Sequence, residues 1–294
     1  MSIEIDFNRS VVERLNFFGR HFFVKRDDLI HLDFCGNKAR KFLYFLENDF
    51  PNIDTVVSFG SAQSNAMHSL SVLAKMKGWK FIYYVDHLSS YLSQNPTGNF
   101  AHALKNNMEI VIGEMPESFD KNVLMIKEGG AQAEAKFGIE KLAEEINSWA
   151  KEKNIKKLKI FLPSGTGTTA LYLQETLNFE VITTPCVGDD KYLKAQFLTL
   201  QQNENLHPKI LKSSKKFHFG KLYNELFEIY CKLFSETNIE FELLYDPIGW
   251  KVLGENLHVF DGFEVLYIHQ GGLKGNATMK PRYERKLQNQ VNPK

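Results

Sequence analysis

Three short stretches of this chain combine residue types that could do chemistry. Cys35-Gly36-Asn37-Lys38-Ala39-Arg40-Lys41 opens a segment of helical spacing and puts Lys38 in its first turn. A lysine there meets an unfavourable helix dipole, which favours the neutral, nucleophilic amine. The structural alternative is an exposed basic face made of Lys38, Arg40 and Lys41. Ser164-Gly165-Thr166-Gly167-Thr168-Thr169 lies between an apolar run and a helix, where backbone N–H groups, hydroxyls and the helix dipole can converge on an anion. It lacks the Gly-Lys-Ser/Thr ending of a nucleotide loop and does not spell Gly-x-Gly-x-x-Gly, so ATP and dinucleotides are disfavoured. Gln63-Ser64-Asn65 stands at another such junction, able to hold a substrate carboxylate, with Ser64 able to relay a proton. Ser and Asn are also preferred N-caps, so each stretch alone reads equally well as a capped helix.

The elements that must position these residues alternate in type. Strand-like runs at 55–59, 81–85, 109–112, 160–162, 181–183, 241–244 and 265–268 are interleaved with helical segments, the rhythm of repeated β-α-β units. The expected architecture is α/β: two domains of open, twisted parallel sheets, the larger formed by 1–53 and 150–294, the smaller by 54–149. Ligands of such sheets sit beyond the carboxyl ends of the strands, where the small, polar, glycine-containing loops 60–65, 163–169 and 269–272 fall. The basic run 207–221 reads as a solvated loop, with an anion patch as its alternative.

Bulk properties exclude several partners. The 294 residues carry 36 basic and 35 acidic side chains, a balance that favours neither nucleic acid nor a membrane surface. Cys35, Cys186 and Cys231 lie far apart, without the spacing of a disulfide framework or a structural zinc site, and no metal is expected. The first residues are acidic where an export signal needs a basic start, and no run approaches a membrane span. A cytoplasmic enzyme of small molecules is the expectation.

In combination the motifs resemble the pyridoxal-phosphate enzymes of the tryptophan-synthase β-type fold (fold type II), specifically the 1-aminocyclopropane-1-carboxylate deaminase and D-cysteine desulfhydrase group. Lys25-Arg26-Asp27-Asp28 precedes Gly36-Asn37-Lys38-Ala39-Arg40-Lys41. Gln63-Ser64-Asn65, Gly98-Asn99-Phe100, the loop from Ser164 to Thr169, and Ile268-His269-Gln270-Gly271-Gly272 follow in family order. The resemblance implies that Lys38 is the Schiff-base residue and that Asn65 lies by the cofactor's 3-hydroxyl. It also implies that Gln63, Ser64 and Asn65 face the substrate, that Ser164, Gly165, Thr166, Gly167, Thr168 and Thr169 hold the phosphate, and that the protein is a homodimer.

The sequence departs from the family near the substrate. Asp246-Pro247-Ile248-Gly249-Trp250-Lys251 is one residue short and lacks the family's tyrosine. Ala66 replaces a histidine, Thr168 a glycine, and Gln270 a threonine. Gln270 could hydrogen-bond the pyridine nitrogen, but a neutral amide would not hold it protonated, weakening the electron sink. The implied activity is α,β-elimination from a small amino acid, as in a D-cysteine desulfhydrase, giving pyruvate and ammonia, with ring opening disfavoured. The alternatives are a racemase and a non-catalytic cofactor-binding or ligand-sensing protein.

Overall fold

The computed structural model describes residues 5–291. The chain opens with strands β1 (Val12–Phe17) and β2 (Arg20–Arg26) and helix α1 (Gly36–Glu47). It continues through β3 (Thr55–Phe59), α2 (Asn65–Lys77), β4 (Lys80–Val85), α3 (Ser90–Gln94), α4 (Gly98–Lys105), β5 (Met108–Ile112) and β6 (Val123–Met125). Next come α5 (Ala135–Glu152), β7 (Leu158–Ser164), α6 (Thr168–Thr176), β8 (Glu180–Pro185), α7 (Asp190–Leu200) and β9 (Lys209–Ile210). The last elements are α8 (Asn224–Thr237), α9 (Asp246–Glu255), β10 (Glu264–His269) and α10 (Asn276–Val291).

Two sheets result, ordered β5-β4-β3-β6 and β1-β2-β10-β7-β8-β9. Every pairing is parallel except β1 with β2, whose short connection at Phe18-Gly19 permits only an antiparallel hairpin. β7 is buried along its whole length, as a central parallel strand covered on both faces must be. The smaller sheet shares an apolar core with α1, α2 and α4, including Phe34, Phe42, Val56, Leu70 and Phe81. Most of α5 lies inside the range 54–149, yet its Ile139, Leu142 and Ile146 pack with Ile160, Leu162 and Leu266 of the larger sheet.

One expected strand is absent. Residues 241–244 form an irregular turn whose N–H groups are taken by side chains instead of a neighbouring strand. Glu242 Oε2 accepts from Leu244 and Tyr245, Asn276 Oδ1 from Leu243, and Asp246 Oδ2 from Glu242. With its donors satisfied locally, the segment has no need of a ladder. No helix among the described residues is long and apolar enough to cross a membrane.

Candidate active site

A cavity of about 240 Å³ opens where the carboxyl ends of both sheets meet, lined by residues of all three sequence stretches. Lys38 reaches it from the first turn of α1. Burial pulls its ammonium pKa down to about 8, opposed by the charge of Glu128 at the same cavity.

The supposed basic face is not exposed. Arg40 and Lys41 are buried, each with a distinct duty. Arg40 donates Nε and Nη2 to Asp27 (3.1 and 2.8 Å), and Nη1 and Nη2 to Glu145 (2.6 and 2.9 Å), tying α1 to the end of β2 and to α5. Burial pushes the Asp27 carboxyl up, but Arg40, Lys25 and the Ser10 hydroxyl together hold it below the usual carboxylate range. Asp27 of the Lys25-Arg26-Asp27-Asp28 stretch thus anchors the helix that presents Lys38. Gly36 brings that helix against β10: with φ +64° and its α-carbon packed on Gln270, it has no room for a β-carbon, which would overlap the Gln270 carbonyl.

Lys41 lies one turn beyond Lys38 on the same helix face. Its Nζ donates to Gly129 O (3.0 Å) and Thr166 Oγ1 (3.3 Å), and it has no carboxylate partner among the described residues. Burial first, then the nearby Lys38 charge, pushes its pKa well down. Beside it Thr166 and Thr168 share a hydrogen bond (3.0 Å), while the buried Thr169 hydroxyl has no partner. Gly167 (φ +73°) caps the following helix, and a β-carbon there would run into Leu193 and Phe197. An amine, three hydroxyls and a helix start thus surround one place suited to a dianion. Ser164 lines the cavity too, but its hydroxyl is occupied by Thr183 Oγ1 at 2.6 Å.

Ser64 caps α2, its Oγ accepting from Ala66 and Met67 while its residue also lines the cavity; capping and a cavity role coexist. Asn65 Oδ1 accepts from Asn99 Nδ2 (2.6 Å), which also donates to Gln63 O (2.9 Å), so the Gly98-Asn99-Phe100 motif holds the Gln63-Ser64-Asn65 loop in shape. Gln63 Oε1 accepts from Thr278. Gln270 reaches the cavity, but both ends of its amide are engaged: Nε2 donates to Pro163 O (2.6 Å) and Oε1 accepts from Asn37 Nδ2 (3.0 Å).

Cavity residues that the sequence reasoning did not single out include Tyr245, Phe219 and Glu242. Gly249, at the family's tyrosine position, sits within α9, and a β-carbon there would stand 2.8 Å from the Tyr267 hydroxyl and 3.2 Å from Pro163. No larger side chain fits. Phenols reach the cavity instead from Tyr192 and from Tyr245, the latter immediately before Asp246 with its ring packed beside Gly165 and Phe219. Phe219 belongs to the basic run, which therefore supplies cavity wall as well as solvated loop. Glu242 is 1% exposed; one oxygen is held by backbone N–H groups and Oε1 has no partner. Burial, then the neighbouring Asp246, pushes its pKa up to about 8. The only available signals were the one-turn spacing of Lys41 from Lys38 and a lone acid in an apolar run.

No family model matches the sequence. A protein of Pyrococcus horikoshii, provisionally named a 1-aminocyclopropane-1-carboxylate deaminase, is 24% identical over 282 residues, covering 87% of this chain and 86% of its own length. The crystal structure of a protein described as an ACC deaminase homologue superposes with a TM-score of 0.77 at 20% identity, over 97% of this chain and 95% of that one. A hydrogen sulfide-producing enzyme of Fusobacterium nucleatum gives a TM-score of 0.66 at 13% identity, over 90% and 96% of the two chains. The fold is thus the tryptophan-synthase β-type, fold type II, and the similarity extends over most of the chain.

Proposed function

We propose that this protein is a pyridoxal-phosphate enzyme that removes the α-proton of a small amino acid and eliminates a leaving group from its β-carbon. The observation that carries the reading is the pairing, on one face of α1, of two lysines that form no ion pair among the described residues: half-buried Lys38 at the cavity and buried Lys41 one turn on, against Thr166. An unpaired ammonium as buried as Lys41 is costly unless a ligand makes use of it.

The donor set fits that cofactor. Its phosphate matches Lys41, the hydroxyls of Thr166 and Thr168, the unpartnered Thr169 hydroxyl and the start of α6, and Lys38 is the amine that would hold its aldehyde carbon. When bound, the cofactor supplies an electron sink for the carbanion left by loss of the α-proton. Lys38, close to half neutral at pH 8, would accept that proton on Nζ. The loop at Ser64 and Asn65 offers its hydroxyl and amide to the substrate carboxylate. Tyr245, whose phenol is kept protonated by burial and by the acidic groups around it, can give its proton to the departing β-substituent, which leaves with the bonding electrons. Hydrolysis of the remaining three-carbon unit yields pyruvate and ammonia.

A D-cysteine-like substrate is the first choice, since the sulfide-producing neighbour shares the fold and Gly249 excludes the family's tyrosine. We also propose a homodimer, to be checked by sedimentation. The functional test is to load the protein with pyridoxal phosphate, reduce with borohydride, locate the modified lysine by mass spectrometry, and assay pyruvate from D- and L-amino acids bearing thiol, hydroxyl or chloride at the β-carbon. Modification at Lys38 with pyruvate release supports the reading. Modification without turnover of any substrate favours the binding or racemase alternatives, and modification elsewhere refutes the role of Lys38.

A further inference from the structure

Three side chains with metal-ligating atoms meet outside the cavity. Asp33 precedes α1, His68 lies one turn into α2 and His102 belongs to α4; one ligand atom from each lies within 4.8 Å of the others. His68 is 5% exposed, and its Nε2 is buried without any hydrogen-bond partner. A buried ring nitrogen left unpaired is uncommon and costly, and it calls for an occupant. The His68 and His102 rings stand edge to face with centroids 5.6 Å apart. Lys274 forms an ion pair with Asp33 at 3.0 Å.

We propose that Asp33, His68 and His102 bind a divalent transition metal, Zn²⁺ in the first instance, with water completing its coordination. Two imidazoles and one carboxylate suit Zn²⁺ far better than Mg²⁺ or Ca²⁺, which prefer oxygen alone. Metal–ligand distances of about 2.0–2.2 Å bring ligand atoms to roughly 3.4 Å from one another. The cluster therefore has to tighten by at most about 1.4 Å. His102 and Asp33 are only partly buried and can make that movement, while His68 is the fixed member. Asp33 has a second oxygen, so Lys274 can remain as an outer partner of the ligating carboxylate. The absence of a cysteine zinc pattern does not bear on such a site, because no thiol is needed.

The ligands come from three separate segments. Two of these lead directly into the candidate active site: Asp33 stands just ahead of the helix bearing Lys38, and His68 is on the helix that starts at the Ser64-Asn65 loop. A bound ion would fix these segments relative to one another, whatever reaction the cavity carries.

The test uses the full chain after chelator treatment. Calorimetric titration with Zn²⁺ should give one ion per chain, Co²⁺ should produce visible d–d bands, and the thermal midpoint should rise with added metal. His102→Ala and Asp33→Asn, both at partly exposed positions, should each weaken Zn²⁺ binding by about 100-fold and erase the Co²⁺ bands. Both metal-free variants should unfold as cooperatively as the parent. His68→Asn provides a third arm. Absence of stoichiometric binding, or binding that survives both His102→Ala and Asp33→Asn, overturns the proposal.

Discussion

Gly36 offers a sharp test of how the candidate site is assembled, because Gly78 supplies a matched control. Both glycines have left-handed backbone, φ +64° and +72°, but a β-carbon at Gly78 meets nothing within 4 Å, whereas one at Gly36 overlaps the Gln270 carbonyl and stands 2.8 Å from Gly271 N. Gly78→Ala should therefore cost only the conformational term, about 1–2 kcal/mol. Gly36→Ala carries the same term and must also push α1 away from the end of β10. That movement strains three hydrogen bonds: Asn37 N to Gln270 O, Asn37 Nδ2 to Gln270 Oε1, and Gln270 Nε2 to Pro163 O. At about 1 kcal/mol each, with about 1–3 kcal/mol for overpacking, the variant should lose roughly 5–8 kcal/mol in all. Urea unfolding followed by circular dichroism compares the two directly through their midpoints. A second readout is the pH dependence of Lys38 reductive methylation: opening the site would raise the Lys38 pKa from about 8 toward an ordinary lysine value. If Gly36→Ala costs no more than Gly78→Ala and leaves the methylation profile unchanged, close packing on Gln270 is not what places Lys38.

Three further outcomes follow from the charges. Arg40→Ala should destabilise by about 3–5 kcal/mol in urea by leaving Asp27 buried and unpaired; Arg40→Lys, keeping the charge but losing the bidentate contacts, should fall between it and the parent. At pH 7 about one-tenth of Lys38 is neutral, against about 0.03% of an ordinary lysine, so its methylation should be of order 300-fold favoured and should level off above pH 8. Glu128→Gln removes the charge that raises this pKa and should shift the profile to lower pH. Glu242 has a folded pKa raised from 4.5 to about 8, so the stability it contributes is complete below about pH 4.5 and is lost as pH rises to about 8. Between pH 5 and 8 the parent should lose a few kcal/mol more than Glu242→Gln, read from urea midpoints.

What the sequence disclosed and what it hid differ by the distance over which each residue is positioned. The loops at 60–65, 164–169 and 269–272 were legible because their function is local: an apolar strand ends, small residues turn the chain, and a helix begins within a few positions. Lys41 is invisible to that reasoning. Its spacing from Lys38 puts both on one face, but only packing against Gly129 and Thr166, 88 and 125 residues away, decides that the face is buried. The segment 241–244 shows the converse failure. The apolar residues Phe241, Leu243 and Leu244 suggest a strand, yet the residue that interrupts the run, Glu242, spends one oxygen on the turn and keeps the other buried and unpaired. An acid in that position stays mostly protonated through neutral pH, its pKa raised to about 8 by burial and by Asp246. The same reasoning explains why the missing tyrosine misled. Sequence shows that Gly249 has no phenol, but not that the turn made by Glu242 swings Tyr245 to the cavity from the other side of Asp246. Reaction class therefore depends on which cavity groups the turn presents, and Tyr245→Phe, by slowing pyruvate release while leaving modification of Lys38 intact, separates loss of an acid from loss of the site.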